Sequence, residues 1–133
     1  VGALAAKYGI ENAISFMPRI NRDEVRAKQR EADCNLVLNS TDASGDHILP
    51  TKFFEYVAAR RPIIAVTGLD SDLAKILERE QWGAVVHDGN SAQIAMRQFN
   101  DGSLPIPSDV ECSYSREARA VEYANLILSF VKC

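Results

Sequence analysis

The stretch "LPTKFFEYVAARRPIIAV", residues 49–66, decides how the chain is read. It joins a Leu-Pro turn, an amphipathic segment carrying Lys52 and Glu55, a pair of arginines and a run of apolar residues. Thr51 to Arg60 reads as a helix. Pro62-Ile63-Ile64-Ala65-Val66 reads as a strand of the continuous apolar kind that belongs in a parallel sheet covered on both faces. The polar loop "NSTDASGDHILP" precedes the helix, and its small, turn-forming residues cannot build a core.

Outward from this unit, helix and strand alternate. Residues 1–8 read as a helix end stopped at Gly9, and Ala13 to Met17 as a short strand closed by Pro18. Asn21 caps a helix over about 22–32, with Asp23 and Glu24 in its first turn. Asn35 to Leu38 is a buried strand. Asp70 or Ser71 caps a helix running to about Gln81, and Ala84 to Val86 is a further strand. A helix from Ser91 to about Asn100 and a final helix from Ser113 or Ser115 to Val131 complete the pattern. Strands separated by helices imply parallel pairing through right-handed crossovers. The expected class is α/β, a Rossmann-like sheet with helices on both faces, in a single domain over residues 1–133. The chain opens at Val1 inside a helical pattern, and the expectation is a piece of a longer protein.

Composition narrows the functional classes. The chain is 47% hydrophobic and 25% charged, with a net charge of −3. No basic excess exists to displace counterions from a nucleic-acid backbone, so a nucleic-acid partner is not expected. The three cysteines (Cys34, Cys112, Cys133) form neither CxxC nor a Cys/His cluster, which argues for reduced thiols in the cytoplasm rather than zinc or a disulfide scaffold. No apolar stretch has the length of a membrane-spanning helix, and no signal peptide is evident.

In a parallel α/β sheet, ligands sit beyond the carboxyl ends of the strands. Loop 39–50 and the helix start at Thr51 occupy that position. Backbone amides of Ile48, Leu49, Thr51 and Lys52 are candidate donors to a phosphate, and Pro50 has none to offer. The Thr51 hydroxyl and Lys52 ammonium add to the same place. Glu55 follows one turn after Thr51 on about the same face and suits a ribose diol. The alternative reading makes Thr51 a cap, Lys52 a solvated charge and Glu55 a surface acid near Arg60 or Arg61. An Asp42/Asp46 pair lacks distinctive metal-ligand spacing.

Five segments in order, "ISFMPRINRDEV", "EADCNLVLNS", "LPTKFFEYVAARRPIIAV", "LEREQWGAVVHDGN" and "CSYSREARAVEYANLIL", resemble the donor-binding half of retaining GT-B glycosyltransferases of the family 4 type. The likeness spans nearly the whole chain. It implies the C-terminal half of a GT-B fold that binds a nucleotide sugar without a metal or other cofactor. The acceptor glycan would be bound through another domain, which could also carry a peripheral membrane association. In the family two acids eight positions apart flank the helix start. Glu55 matches the second, which contacts the ribose, and His47 stands in place of the first, beside Asp46. The likeness also puts Arg19 near the nucleobase and Ser40 in the pocket wall, with Thr41 beside it. Arg60 replaces a helix-ending glycine, and the expectation is that the helix ends in another way. No catalytic residue is expected in these residues, and the chain alone should be inactive.

Two rivals use the same pattern: a nucleotide-sugar epimerase of GT-B fold, and a non-catalytic receiver-like module. The second expects an aspartate ending a strand, whereas Leu38 leads into Asn39-Ser40-Thr41. The final helix carries Ala118, Val121, Asn125, Leu128 and Val131 near one face, widened by Leu126, Ile127 and Phe130. Uncovered apolar surface there would favour self-association.

Overall fold

Helix starts in this chain are set by side chains that answer unpaired backbone amides. Asn21 and Glu24 form a reciprocal capping box, Ser71 accepts from the Ala74 amide, and Asp88 pairs with Ser91 in a second box. The fifth helix therefore starts at Gly89, two residues before the expected Ser91, which becomes its third residue. The computed structural model describes residues 2–108 and 114–131. In order they form α1 (Gly2–Lys7), a 3-10 turn (Glu11–Ala13), α2 (Arg22–Glu31) and β1 (Asn35–Leu38). A second 3-10 turn (Ala43–Gly45), α3 (Thr51–Ala59), β2 (Ile63–Val66) and α4 (Asp72–Glu80) follow. The chain continues with β3 (Gly83–Val86), α5 (Gly89–Asp101) and α6 (Arg116–Val131).

The three strands are parallel in the order β1-β2-β3, with Val37, Ala65 and Val85 in register. The class is α/β, a Rossmann-like parallel sheet flanked by helices. Both crossovers step the same way across the sheet, and α3 and α4 lie on one face of it. There Phe53 and Val57 of α3 and Leu73 and Leu77 of α4 close over Val37, Ile63 and Ala65. Trp82 is buried in the same cluster, and Tyr114 packs on its edge. The Asn35 carboxamide is buried and donates to the Gln29 carbonyl, which ties the end of α2 to the first strand.

The other face is not closed over β1. Leu36 and Leu38 point away from the core and stand 54% and 71% exposed. Ile64 and Val66 beside them are half-buried.

Two further sequence expectations fail for identifiable reasons. Residues 13–17 do not form a strand: a 3-10 turn ends at Ala13, and Phe16 and Met17 are exposed. Ile14 has an extended backbone, but a strand is stable only with a neighbour to bond, and Pro18 removes a donor just beyond. Arg60 was expected to avoid the left-handed region, yet it ends α3 there (φ 54, ψ 45), as Gln81 ends α4 (φ 55, ψ 48). The tight return into Pro62 and β2 imposes the left-handed turn that glycine provides most easily.

No helix among the described residues is long and apolar enough to cross a membrane. Cys34 is half-buried, and burial pushes its thiol pKa up. Cys112 and Cys133 lie outside the described residues.

Gly83 tolerates no side chain, since a Cβ there would sit 1.9 Å from the Ile63 carbonyl oxygen. Gly83→Ala is expected to destabilise the fold by about 2–3 kcal/mol, read as a fall in the urea midpoint. Arg60→Gly works in the opposite sense. Relief of the left-handed strain (about 1 kcal/mol) outweighs the added freedom of the unfolded chain, and a small rise in melting temperature is expected.

Candidate ligand site at the start of the third helix

The loop between β1 and α3 is held by Asn39. Its backbone amide donates to the Val66 carbonyl, continuing the ladder past the end of β1. Its side-chain amide reaches the carbonyls of Gly45 (3.2 Å) and Ile48 (3.3 Å) and the Thr67 hydroxyl (3.5 Å). Thr67 passes the chain of bonds to Ser71, which caps α4, and both hydroxyls are buried. One carboxamide thus joins the loop, the end of β2 and the start of α4. Gly45 is buried in the 3-10 turn, where a Cβ would meet the Ser40 carbonyl at 2.7 Å. The Asp72 amide donates to the Asp46 carbonyl at 2.7 Å and fastens the loop a second time. Hydrogen bonds from Ser44, then Ser40, hold the Asp42 carboxyl below the usual carboxylate range.

This framework presents the start of α3 without a cap. Pro50 stands at the N-cap, where no side chain bonds a helix amide, and the Phe53 amide turns back to the Pro50 carbonyl. Thr51 and Lys52 in the first turn are both exposed. Burial of Phe53 and Val57 sets the roll of the helix and turns Glu55 toward α2. Its side chain is 37% exposed and lies 3.6 Å from the Arg22 guanidinium. Gln29 donates to its other oxygen at 3.4 Å. Both contacts are long, and Arg22 is largely solvated, so hydroxyls of a ligand can replace them at small cost.

Glu55 forms one end of a groove of about 210 Å3 between α2 and α3. Arg26, Gln29 and Arg30 make the α2 wall; Phe54, Ala58 and Ala59 make the apolar opposite side. A groove with a carboxylate, two guanidinium groups and an apolar floor offers hydrogen-bond acceptance, positive charge and a flat surface within a short span.

Not all the expected residues converge here. Thr51, Lys52 and Glu55 share the first turn and a half of α3. His47 is turned the other way, its Nδ1 3.4 Å from an Asp72 carboxylate oxygen at the start of α4. The Ile48 amide already donates to the Gly45 carbonyl and is not available to a phosphate. Leu49 packs its side chain against the core. Ser40 faces the Asp42 carboxyl, and Arg19 is exposed in the loop leading to Asn21. Sequence reasoning missed Arg26, Gln29 and Arg30, although their spacing on one side of α2 was a readable signal. It also missed Asn39, whose role depends on three carbonyl and hydroxyl partners far apart in the chain. Among the described residues no group of three or more His, Cys, Asp or Glu side chains is arranged to hold a metal ion.

No family model matches the chain, and neither does any curated protein or solved structure.

Removing the Asn39 side chain leaves the Gly45 and Ile48 carbonyls and the Thr67 hydroxyl without this donor. Asn39→Ala is expected to cost about 1–3 kcal/mol. Hydrogen exchange should rise first in residues 40–50, and an increase confined to α5 would contradict the assigned role.

Proposed function

We propose that this chain is the donor-binding part of a glycosyltransferase, taking a nucleoside diphosphate sugar at the start of α3. The observation that carries the reading is Glu55, a partly exposed carboxylate in the α2–α3 groove, one turn beyond an uncapped helix start. A diphosphate at that start would meet the first-turn amides, the Thr51 hydroxyl and the Lys52 ammonium. The ribose would then reach Glu55, which accepts from both hydroxyls as Arg22 and Gln29 give way. Arg26 and Arg30 add positive charge along the same groove.

The chemical contribution of such a site is positioning of the donor and stabilisation of charge on the departing diphosphate. The resemblance to retaining GT-B enzymes supplies the reaction class, with acceptor binding assigned to another domain and the work placed in the cytoplasm, in glycan assembly. His47, paired with Asp72, is not aimed at the groove and has no sugar contact in this reading. A second reading, a non-catalytic interaction module, is favoured by one observation: every residue of α6 from Val121 to Phe130 is exposed.

The test is titration of the chain with UDP, GDP and their sugar conjugates, followed by ligand-observed NMR. Binding selective for one base is expected, weakened at least about tenfold (1.4 kcal/mol) by Glu55→Ala. Arg26→Ala should weaken the nucleotide more than the free nucleoside, because it removes charge rather than a diol acceptor. Binding that is unchanged in Glu55→Ala would sink the donor-site reading.

A further inference from the structure

Tyr114 stands just before α6, and its place is fixed by the way that helix starts. Ser115 caps the helix, accepting from the Ala118 amide at 3.0 Å. Tyr114 then precedes the cap and Arg119 is the fourth residue of the helix, the two positions whose side chains meet across a helix start. Here the Arg119 guanidinium lies 4.9 Å from the centre of the Tyr114 ring. At the far end of the side chain, Arg79 bonds the hydroxyl, which itself donates to the Glu80 carboxylate at 3.3 Å. Arg79 and Glu80 end α4, so this one side chain ties α6 to α4. Buried Trp82 meets the ring edge-on, with 5.5 Å between centroids.

The ring that Tyr114 supports in turn is Phe54. Its centroid is 6.2 Å from that of Tyr114 and 5.3 Å from that of the wholly buried Phe53. Phe54 is 39% exposed and lines the α2–α3 groove together with Glu55. Among the described residues lining that groove it alone is aromatic. A side chain this open on a helix surface exchanges rotamers unless a neighbour fills the space it would enter.

Given the donor-site reading, on which this inference rests, we propose that Tyr114 is a positioning residue for the groove. It holds the Phe54 ring as the wall against which the flat base of the nucleotide stacks. Tied at both ends, Tyr114 cannot give way to Phe54. A wall already in place spares the ligand the ordering of that side chain. Without Tyr114 the ring gains rotamer freedom that binding must remove. The base then loses affinity, while a diphosphate held at the start of α3 does not. The start of α6 thus sets the shape of a groove that none of its own residues lines.

Ligand-observed NMR with UDP, GDP and inorganic diphosphate tests the arrangement. Tyr114→Leu is expected to weaken the favoured nucleotide at least about fivefold and to leave inorganic diphosphate unchanged. Tyr114→Phe keeps the ring and should stay within about twofold of the unmodified chain. Phe54→Leu should reproduce the loss, and the double variant Phe54→Leu/Tyr114→Leu should lose no more than either, because both changes remove one wall. Leucine keeps apolar bulk against Trp82; Tyr114→Met takes its place if circular dichroism shows Tyr114→Leu unfolded. Unchanged nucleotide binding in Tyr114→Leu overturns the proposal, as do additive losses in the double variant or equal losses of nucleotide and diphosphate. Three-bond couplings about the first side-chain torsion of Phe54 give a ligand-free readout. One rotamer is expected in the unmodified chain and averaging in Tyr114→Leu, and a Phe54 that keeps one rotamer in both overturns the proposal. Nucleotide binding that is absent or indifferent to Glu55→Ala sinks the donor-site reading instead, and the couplings still decide whether Tyr114 holds Phe54.

Discussion

Burial of Phe53 and Val57 against Val37, Ile63 and Ala65 is the contact on which the rest of the structure depends. Four residues apart on α3, these two side chains fix the roll of the helix about its axis. With that roll set, Glu55 has no choice but to face α2, and Phe54 turns toward Tyr114. The site and the anchoring of α6 are consequences of one packing decision. β2 makes it firm, because its Ile63 and Ala65 are wholly buried and paired on both sides.

The loop before α3 is ordered by hydrogen bonding where α3 is ordered by apolar contact. Asn39, Thr67 and Ser71 form a chain of polar groups, buried at Thr67 and Ser71, that fixes the loop to two strand ends and a helix cap. Such a chain is stable only when every member is satisfied, and no buried side-chain polar atom lacks a partner among the described residues. The loop contributes no cap to α3, so the helix start is left for solvent or a ligand. Polar groups used to brace a loop are also lost to binding, as the Ile48 amide shows.

Much of this was legible beforehand. The cap at Asn21 and the Asp70-Ser71 pair, of which Ser71 proves to be the cap, announced their helices, and the apolar runs at 35–38 and 63–66 announced parallel strands. Thr51, Lys52 and Glu55 could be placed together because helical spacing is a local property. The start of α5 was missed by two residues because the Asp88–Ser91 box was not read, and the other failures were cases of tertiary demand overriding a local rule. Residues 13–17 have strand composition and no partner; Arg60 has a side chain that resists the left-handed turn and takes it nonetheless. His47 lies at a position the family resemblance assigns to a sugar contact, yet its orientation was decided by Asp72, 25 residues away.

The sequence by itself determined the α/β alternation, most of the helix starts and the presence of an acid one turn into α3. These follow from backbone propensities, capping chemistry and hydrophobic period, all of which act over a few residues. Only the tertiary structure decided that α2 would wall the groove around Glu55, that Asn39 would brace the loop, and that the sheet would keep one apolar face open at β1. Those outcomes depend on which surfaces meet across long loops. A meeting of that kind is chosen by the total area buried and the polar groups satisfied, quantities that no single segment carries.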